Sequence, residues 1–169
     1  MSIAFYFLVQ FTVLAYALVG GVFLAFSDFI MRSLAKTGGH GGIEAMQVIN
    51  REVFRWIFMA LFLGLAAVSV IVAAYGAFAL TGPARTLIML AGLVYLIGCF
   101  GVTVFFNVPM NEALAGMETS GASTRDYWNQ TYVPHWTFWN SVRTAACAVS
   151  AALILFGLTW MTQNQAQPV

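Results

Sequence analysis

Polar and apolar positions are segregated along this chain on a scale far longer than a helix turn. No Asp, Glu, Lys or Arg occurs from Met1 to Ser27, from Trp56 to Ala84, from Thr86 to Asn111, or from Thr144 to Val169. A helix crossing a hydrocarbon layer of about 30 Å needs roughly 20 mostly apolar residues. Each run is long enough for one crossing. Lipid offers the main chain no hydrogen-bond partners, so long apolar runs are predicted to be helical. The pattern predicts an all-α, four-transmembrane-helix bundle with spans near 4–28, 54–80, 85–108 and 136–161, forming a single membrane domain over 1–169. The first run lacks the basic start and short apolar core of a signal peptide. It is expected to remain as a span.

The connections differ in kind. Thr81-Gly82-Pro83 predicts a minimal turn between spans two and three, with Pro83 in a first helical turn. Gly38-Gly39-His40-Gly41-Gly42 breaks the chain before span two. After it, Glu44, Gln47, Arg51 and Arg55 recur at helical spacing, and Ala45, Ile49, Val53 and Ile57 take another face. This predicts an amphipathic extension before helix 2, either lying on the membrane surface or forming a lid behind a glycine hinge. A long polar loop is expected between helices 3 and 4. The tail from Thr162 to Val169 is expected to be polar and frayed.

Composition agrees with the pattern. Of 169 residues, 61% are hydrophobic and 8% charged, with a net charge of +1. Near-neutrality argues against a nucleic-acid partner. The partners expected are the lipid bilayer and a small aromatic or quinone-like ligand, with the oligomeric state left open. Two cysteines and two histidines exclude a disulfide scaffold. Cys99 and Cys147 are expected as small packing residues within the spans, and Gly20-Gly21 and Gly98-x-x-Gly101 as sites of close helix approach.

The charges that exist cluster. All but Arg85 fall between Asp28 and Arg55 or between Glu112 and Arg143. Both regions belong to one membrane end. The basic residues there place that end in the cytoplasm and both termini outside, in a cell inner membrane. Arg143 lies about two turns into span four, where an ionisable group usually faces a partner or a wet cavity. Asn107, Asn111 and Asn140 crowd the same level. His135 suits a general base at neutral pH. Asp28, with Arg32 one turn on, and Glu112 are the lesser candidates. Phe106, Trp128, Tyr132, Trp136 and Trp139 could form an interfacial aromatic belt or line a pocket for a flat molecule. The cofactor is unknown. Spacing supports neither a metal site nor an axial haem pair strongly, and a cofactor-free site stays open.

Two ordered segments carry a resemblance. Asn107-Val108-Pro109-Met110-Asn111, within Val102–Leu114, resembles the Asn-Val-Pro-x-Asn signature of the DUF1772, or anthrone oxygenase-like, membrane proteins. Trp128, Tyr132, Trp136 and Trp139-Asn140-Ser141-Val142-Arg143-Thr144 resemble that family's later segment. The resemblance implies a four-span scaffold and oxygen-dependent oxidation of an anthrone-like substrate. His135 would then take the acidic proton, and Arg143, Asn140 and Asn111 would stabilise the oxyanion, with Asn107 completing the cluster. The other class that fits is a non-enzymatic membrane protein: a small-molecule binder, an assembly partner or a transporter subunit.

Overall fold

The structure is a computed structural model and describes residues 2–55 and 57–165. Five helices account for most of it: α1 (Ile3–Ala35), α2 (Gly41–Glu52), α3 (Ile57–Ala79), α4 (Gly82–Ala115) and α5 (Ala122–Gln163). Four of them, α1, α3, α4 and α5, are long and apolar enough to cross a membrane. The chain is an integral-membrane helical bundle, with α2 as the short extra helix before the second span. Of the expected frayed tail, Thr162 to Gln165 continues α5, and 166–169 lies outside the described residues.

Large apolar side chains point outward all along the spans, as a lipid-facing surface requires. Phe11, Leu18, Phe78, Ile97 and Phe156 are examples. The interior is smaller and partly polar. Tyr16 and Tyr95 stack at 4.8 Å between centroids. The Tyr16 hydroxyl meets Ser69 Oγ at 2.6 Å, and Tyr95 donates to the Phe62 carbonyl at 3.1 Å. Both tyrosine hydroxyls therefore have a partner, as burial in a hydrocarbon setting favours. Cys99 and Cys147 face each other with sulfurs 3.5 Å apart.

Three of the four seams are tight. α1 packs along α5, α5 along α4, and α4 along α3. Glycine allows this closeness. A Cβ at Gly92 would lie 2.8 Å from the Ala73 main-chain nitrogen, and one at Gly76 2.5 Å from that of Met89. Gly20 and Gly98 meet Cys147 and Ala146 in the same way, whereas nothing approaches Gly21. The fourth seam, α1 against α3, is the least closely packed. Gly82, at φ +63°, makes the short turn between α3 and α4 in a conformation that favours glycine.

The expected loop between spans three and four is largely helical. α4 continues through Val108–Ala115, and α5 begins at Ala122. Only residues 116–121 turn between them. The extra helical length arises because this segment has its own apolar face. Leu114, Trp128, Tyr132 and Trp136 join Met31, Ile43 and Met46 in a second core outside the span core. The buried face of α2 also differs from the expected one. Gly42, Ile43, Met46 and Gln47 are its most buried residues, while Ile49 and Val53 of the expected face are half-buried and border the cavity described below. Gln47 is drawn in because its amide donates to the Leu114 carbonyl at 2.8 Å and the Met117 carbonyl at 3.1 Å, at the end of α4 where main-chain acceptors are unpaired.

Replacing Gly92 by Val should force α3 and α4 apart. Overpacking of this kind costs about 1–3 kcal/mol. The expected result is a lowered thermal midpoint in detergent, with Gly64→Ala, which meets nothing within 4 Å, showing no loss. Equal midpoints for Gly92→Val and wild type would rule out the close α3–α4 contact.

Candidate functional site

The polar end of the bundle is where regular α-winding fails. Wide π turns occupy Phe26–Ile30 in α1, Leu96–Gly101 and Thr103–Asn107 in α4, and Trp128–Trp136 in α5. Two of these have a local cause. Pro109 and Pro134 lack an N–H and crowd the preceding turn, so the ladder must rearrange around them. The described chain supplies no such cause for the turn in α1. Rearranged ladders expose main-chain carbonyls, and side-chain amides use them here. Asn107 Nδ2 donates to the Trp136 carbonyl at 3.2 Å, and Asn140 Nδ2 to the Phe23 carbonyl at 2.5 Å. Asn140 also reaches Ser27 Oγ at 2.6 Å. Two asparagines thus tie α4 to α5 and α5 to α1.

Arg143 sits at the centre of this arrangement, 5% exposed. Its guanidinium donates to Asn140 Oδ1 at 2.6 Å and Thr103 Oγ1 at 3.3 Å. It lies over the Phe23 ring at 4.2 Å and the Trp136 ring at 5.2 Å. Its Nε has no protein partner. The ion pairs among the described residues are Asp28–Arg32 and Glu52–Arg55, both exposed. The buried cation is therefore held by dipoles and aromatic faces, without a carboxylate.

Arg143 borders a cavity of about 260 Å³. Phe23 and Phe26 of α1, Phe58 and Phe62 of α3, Phe100 of α4 and Trp136 of α5 form much of its wall. Met46, Ile49 and Asn50 of α2 close its polar end, so α2 is a wall of the cavity. Asn111 also faces in. Its Oδ1 accepts from the Tyr132 hydroxyl and from Trp136 Nε1, each at 2.8 Å. That leaves its NH₂ as the end free to donate. Tyr132 in turn accepts from Asn50 Nδ2 at 3.2 Å, so α2, α4 and α5 share one hydrogen-bond chain. The polar groups offered to the cavity are mainly donors, so its polar side suits an oxygen acceptor or an anion.

The sequence-derived candidates separate into three groups. Arg143, Asn111 and Trp136 line the cavity. Asn140, Asn107 and Tyr132 stand behind them through hydrogen bonds, and Trp128 stacks on Tyr132 at 5.3 Å. His135, Asp28 and Glu112 are exposed and outside the lining; so are the exposed Phe106 and the half-buried Trp139, which stack on each other at 3.7 Å. Sequence reasoning missed the α1 and α3 phenylalanines and Asn50. The phenylalanines carry no signal that separates them from lipid-facing ones. Asn50 did carry one, since Met46, Asn50 and Val53 recur at helical spacing on one stripe. Among the described residues, no three His, Cys, Asp or Glu side chains converge as metal ligands would.

Asn140→Leu should destabilise the protein by about 1–3 kcal/mol, because it strands the buried guanidinium. Adding Arg143→Leu should recover part of that loss, since the charge needing the amide is then gone. Additive losses in the thermal midpoint of the double variant would show that the two side chains are not coupled.

Comparison with known families gives one match. The anthrone oxygenase family model covers residues 51–153, which hold α3, α4 and all the site residues of α5. Neither a curated protein nor a solved structure matches the chain. The matched region spans well over half of the chain and includes Asn107, Asn111, Trp136, Asn140 and Arg143, so this four-span membrane protein belongs to the anthrone oxygenase family.

Proposed function

We propose that the protein is a membrane oxidoreductase that uses molecular oxygen to oxidise a small planar aromatic substrate of the anthrone or hydroquinone type. The observation that carries this reading is the buried Arg143, unpaired with any carboxylate, at the polar edge of an aromatic-walled cavity.

An anthrone carries a CH₂ opposite a carbonyl in its central ring, conjugated to it through the two flanking aromatic rings. Loss of one proton gives a phenolate-like enolate, with its charge mostly on oxygen. Placed against Arg143, that oxygen receives N–H donors from a cation already desolvated and already oriented. The amide of Asn111 can donate from the same side. Such preorganised donors favour the charged form without reorganising during the reaction. The enolate is the electron-rich form that oxygen attacks. For the parent anthrone, one molecule and one O₂ yield one anthraquinone and one water, so the oxidant supplies both the new carbonyl oxygen and the oxygen of the water.

Asn140 and Thr103 act through Arg143 as positioning residues. Phe23 and Trp136 stack on the cation and keep water from it. Among the described residues, no carboxylate or imidazole borders the cavity. In this reading the substrate gives its proton to water at the membrane interface before it enters, Arg143 stabilises the resulting anion, and His135 takes no direct part. We read the polar end as the cytoplasmic one, from the basic residues gathered there, in a cell inner membrane.

Purified protein in lipid should show oxygen uptake dependent on a hydroxyanthrone, with the anthraquinone as product. Arg143→Leu should lower the rate about 100-fold or more, the scale of losing an oxyanion donor. His135→Ala should stay within about threefold, as for a surface substitution. No uptake across a panel of anthrones, hydroquinones and phenols would overturn the enzymatic reading and favour a binding protein. A large loss in His135→Ala would restore the histidine as the base.

A further inference from the structure

At the polar end of the cavity α2 contributes wall, and the second core of Met46, Leu114, Tyr132 and Trp136 lies beside it. Of the lining residues that are themselves exposed, Phe54 lies just past α2 at that end and the other three lie on the spans. Val22 of α1 is 40% exposed, and Leu63 of α3 is 52%. They flank the α1–α3 seam, which over its whole length is the least closely packed of the four. The remaining exposed lining positions, Phe54 and Val104, are also apolar. The mouth is therefore framed by apolar side chains on lipid-facing helix surfaces, while the deep end presents Arg143.

We infer that the cavity is filled from the bilayer, through the α1–α3 seam, by a lipid-partitioned planar acid that binds as its anion. Its ring system would lie among the aromatic side chains and its ionised oxygen against Arg143. Any alkyl substituent would extend past Val22 and Leu63 into lipid. The inference rests on the proposed role of Arg143 toward an oxyanion, and adds the route and the membrane-soluble character of the ligand. A neutral molecule of the same shape could still accept a hydrogen bond from the guanidinium but would not balance its charge, and no carboxylate among the described residues does so, so charge is part of recognition.

The probe is 2-hydroxy-3-dodecyl-1,4-naphthoquinone, an acidic planar ring with a membrane-anchoring chain. Its O-methyl ether is the neutral control. The readout is quenching of tryptophan fluorescence, with Trp136 in the cavity wall, followed by stopped flow in nanodiscs. The acid should bind about tenfold or more tighter than the ether, and Arg143→Leu should erase that difference. The association rate should track the mole fraction of probe in the bilayer and stay constant when the aqueous volume is changed. Val22→Phe with Leu63→Phe should narrow the mouth and slow association about tenfold. Phe78→Leu, at a position 90% exposed and remote from the cavity lining, should not.

A rate that follows aqueous probe concentration overturns the route, and this wild-type measurement does not depend on any variant folding. Equal affinity for acid and ether overturns the anionic ligand. Tight, lipid-routed binding without oxygen uptake would sustain this inference and sink the oxidoreductase reading. Oxygen uptake at a rate set by aqueous concentration would do the reverse.

Discussion

A cation buried inside a membrane bundle must be solvated by something. Here the work is done by one amide oxygen, one hydroxyl and two aromatic faces around Arg143. None of these carries a full negative charge. A carboxylate partner would have neutralised the site and left little field for a ligand. Dipoles and ring quadrupoles hold the guanidinium in place and leave its charge largely uncancelled. Much of the polar end can be understood as what is needed to keep those partners in position.

That need explains the irregular helices. A regular α-helix consumes its own carbonyls, so it has nothing to offer a buried asparagine. Asn107 takes the Trp136 carbonyl at the end of the π turn around Pro134, and Asn140 takes the Phe23 carbonyl just before the π turn of α1. Asn140 then has its amide nitrogen occupied by α1, which turns its oxygen toward Arg143. Asn111 is oriented by the opposite logic. Two donors, from Tyr132 and Trp136, claim its oxygen and leave its nitrogen toward the cavity. The two asparagines of the Asn-Val-Pro-x-Asn segment thus both fasten α4 to α5 beside the cavity.

The fold was legible because lipid enforces its rule over twenty residues at a time, and four charge-free runs cannot be hidden. The polar cluster was legible for a related reason. Arg143, Asn107, Asn111 and Asn140 are conspicuous against an apolar background. The cavity wall was not, because Phe23, Phe58 and Phe62 look in sequence like Phe11 or Phe78, which face lipid. Helix rotation decides between them, and packing at glycines such as Gly92 sets that rotation. His135 illustrates the opposite hazard. Adjacency to Trp136 suggested the site, yet neighbouring residues on a helix point about 100° apart, and only Trp136 faces the cavity.

The same bundle is tight on three seams and loose on the fourth, and the difference has a physical source. Gly76 and Gly92 bring α3 against α4, and Gly20 and Gly98 bring α1 and α4 against α5. Of the glycines that meet a neighbouring span, none serves the α1–α3 seam, where Val22 and Leu63 stand instead. These two exposed side chains border the cavity on either side of that seam, near the level of Arg143. Filling the gap with protein would complete the dry core but would leave the guanidinium with no ligand to meet. The loose seam and the uncompensated charge are therefore parts of one arrangement. Each would be a defect alone, and together they define a site open to lipid at one end and polar at the other.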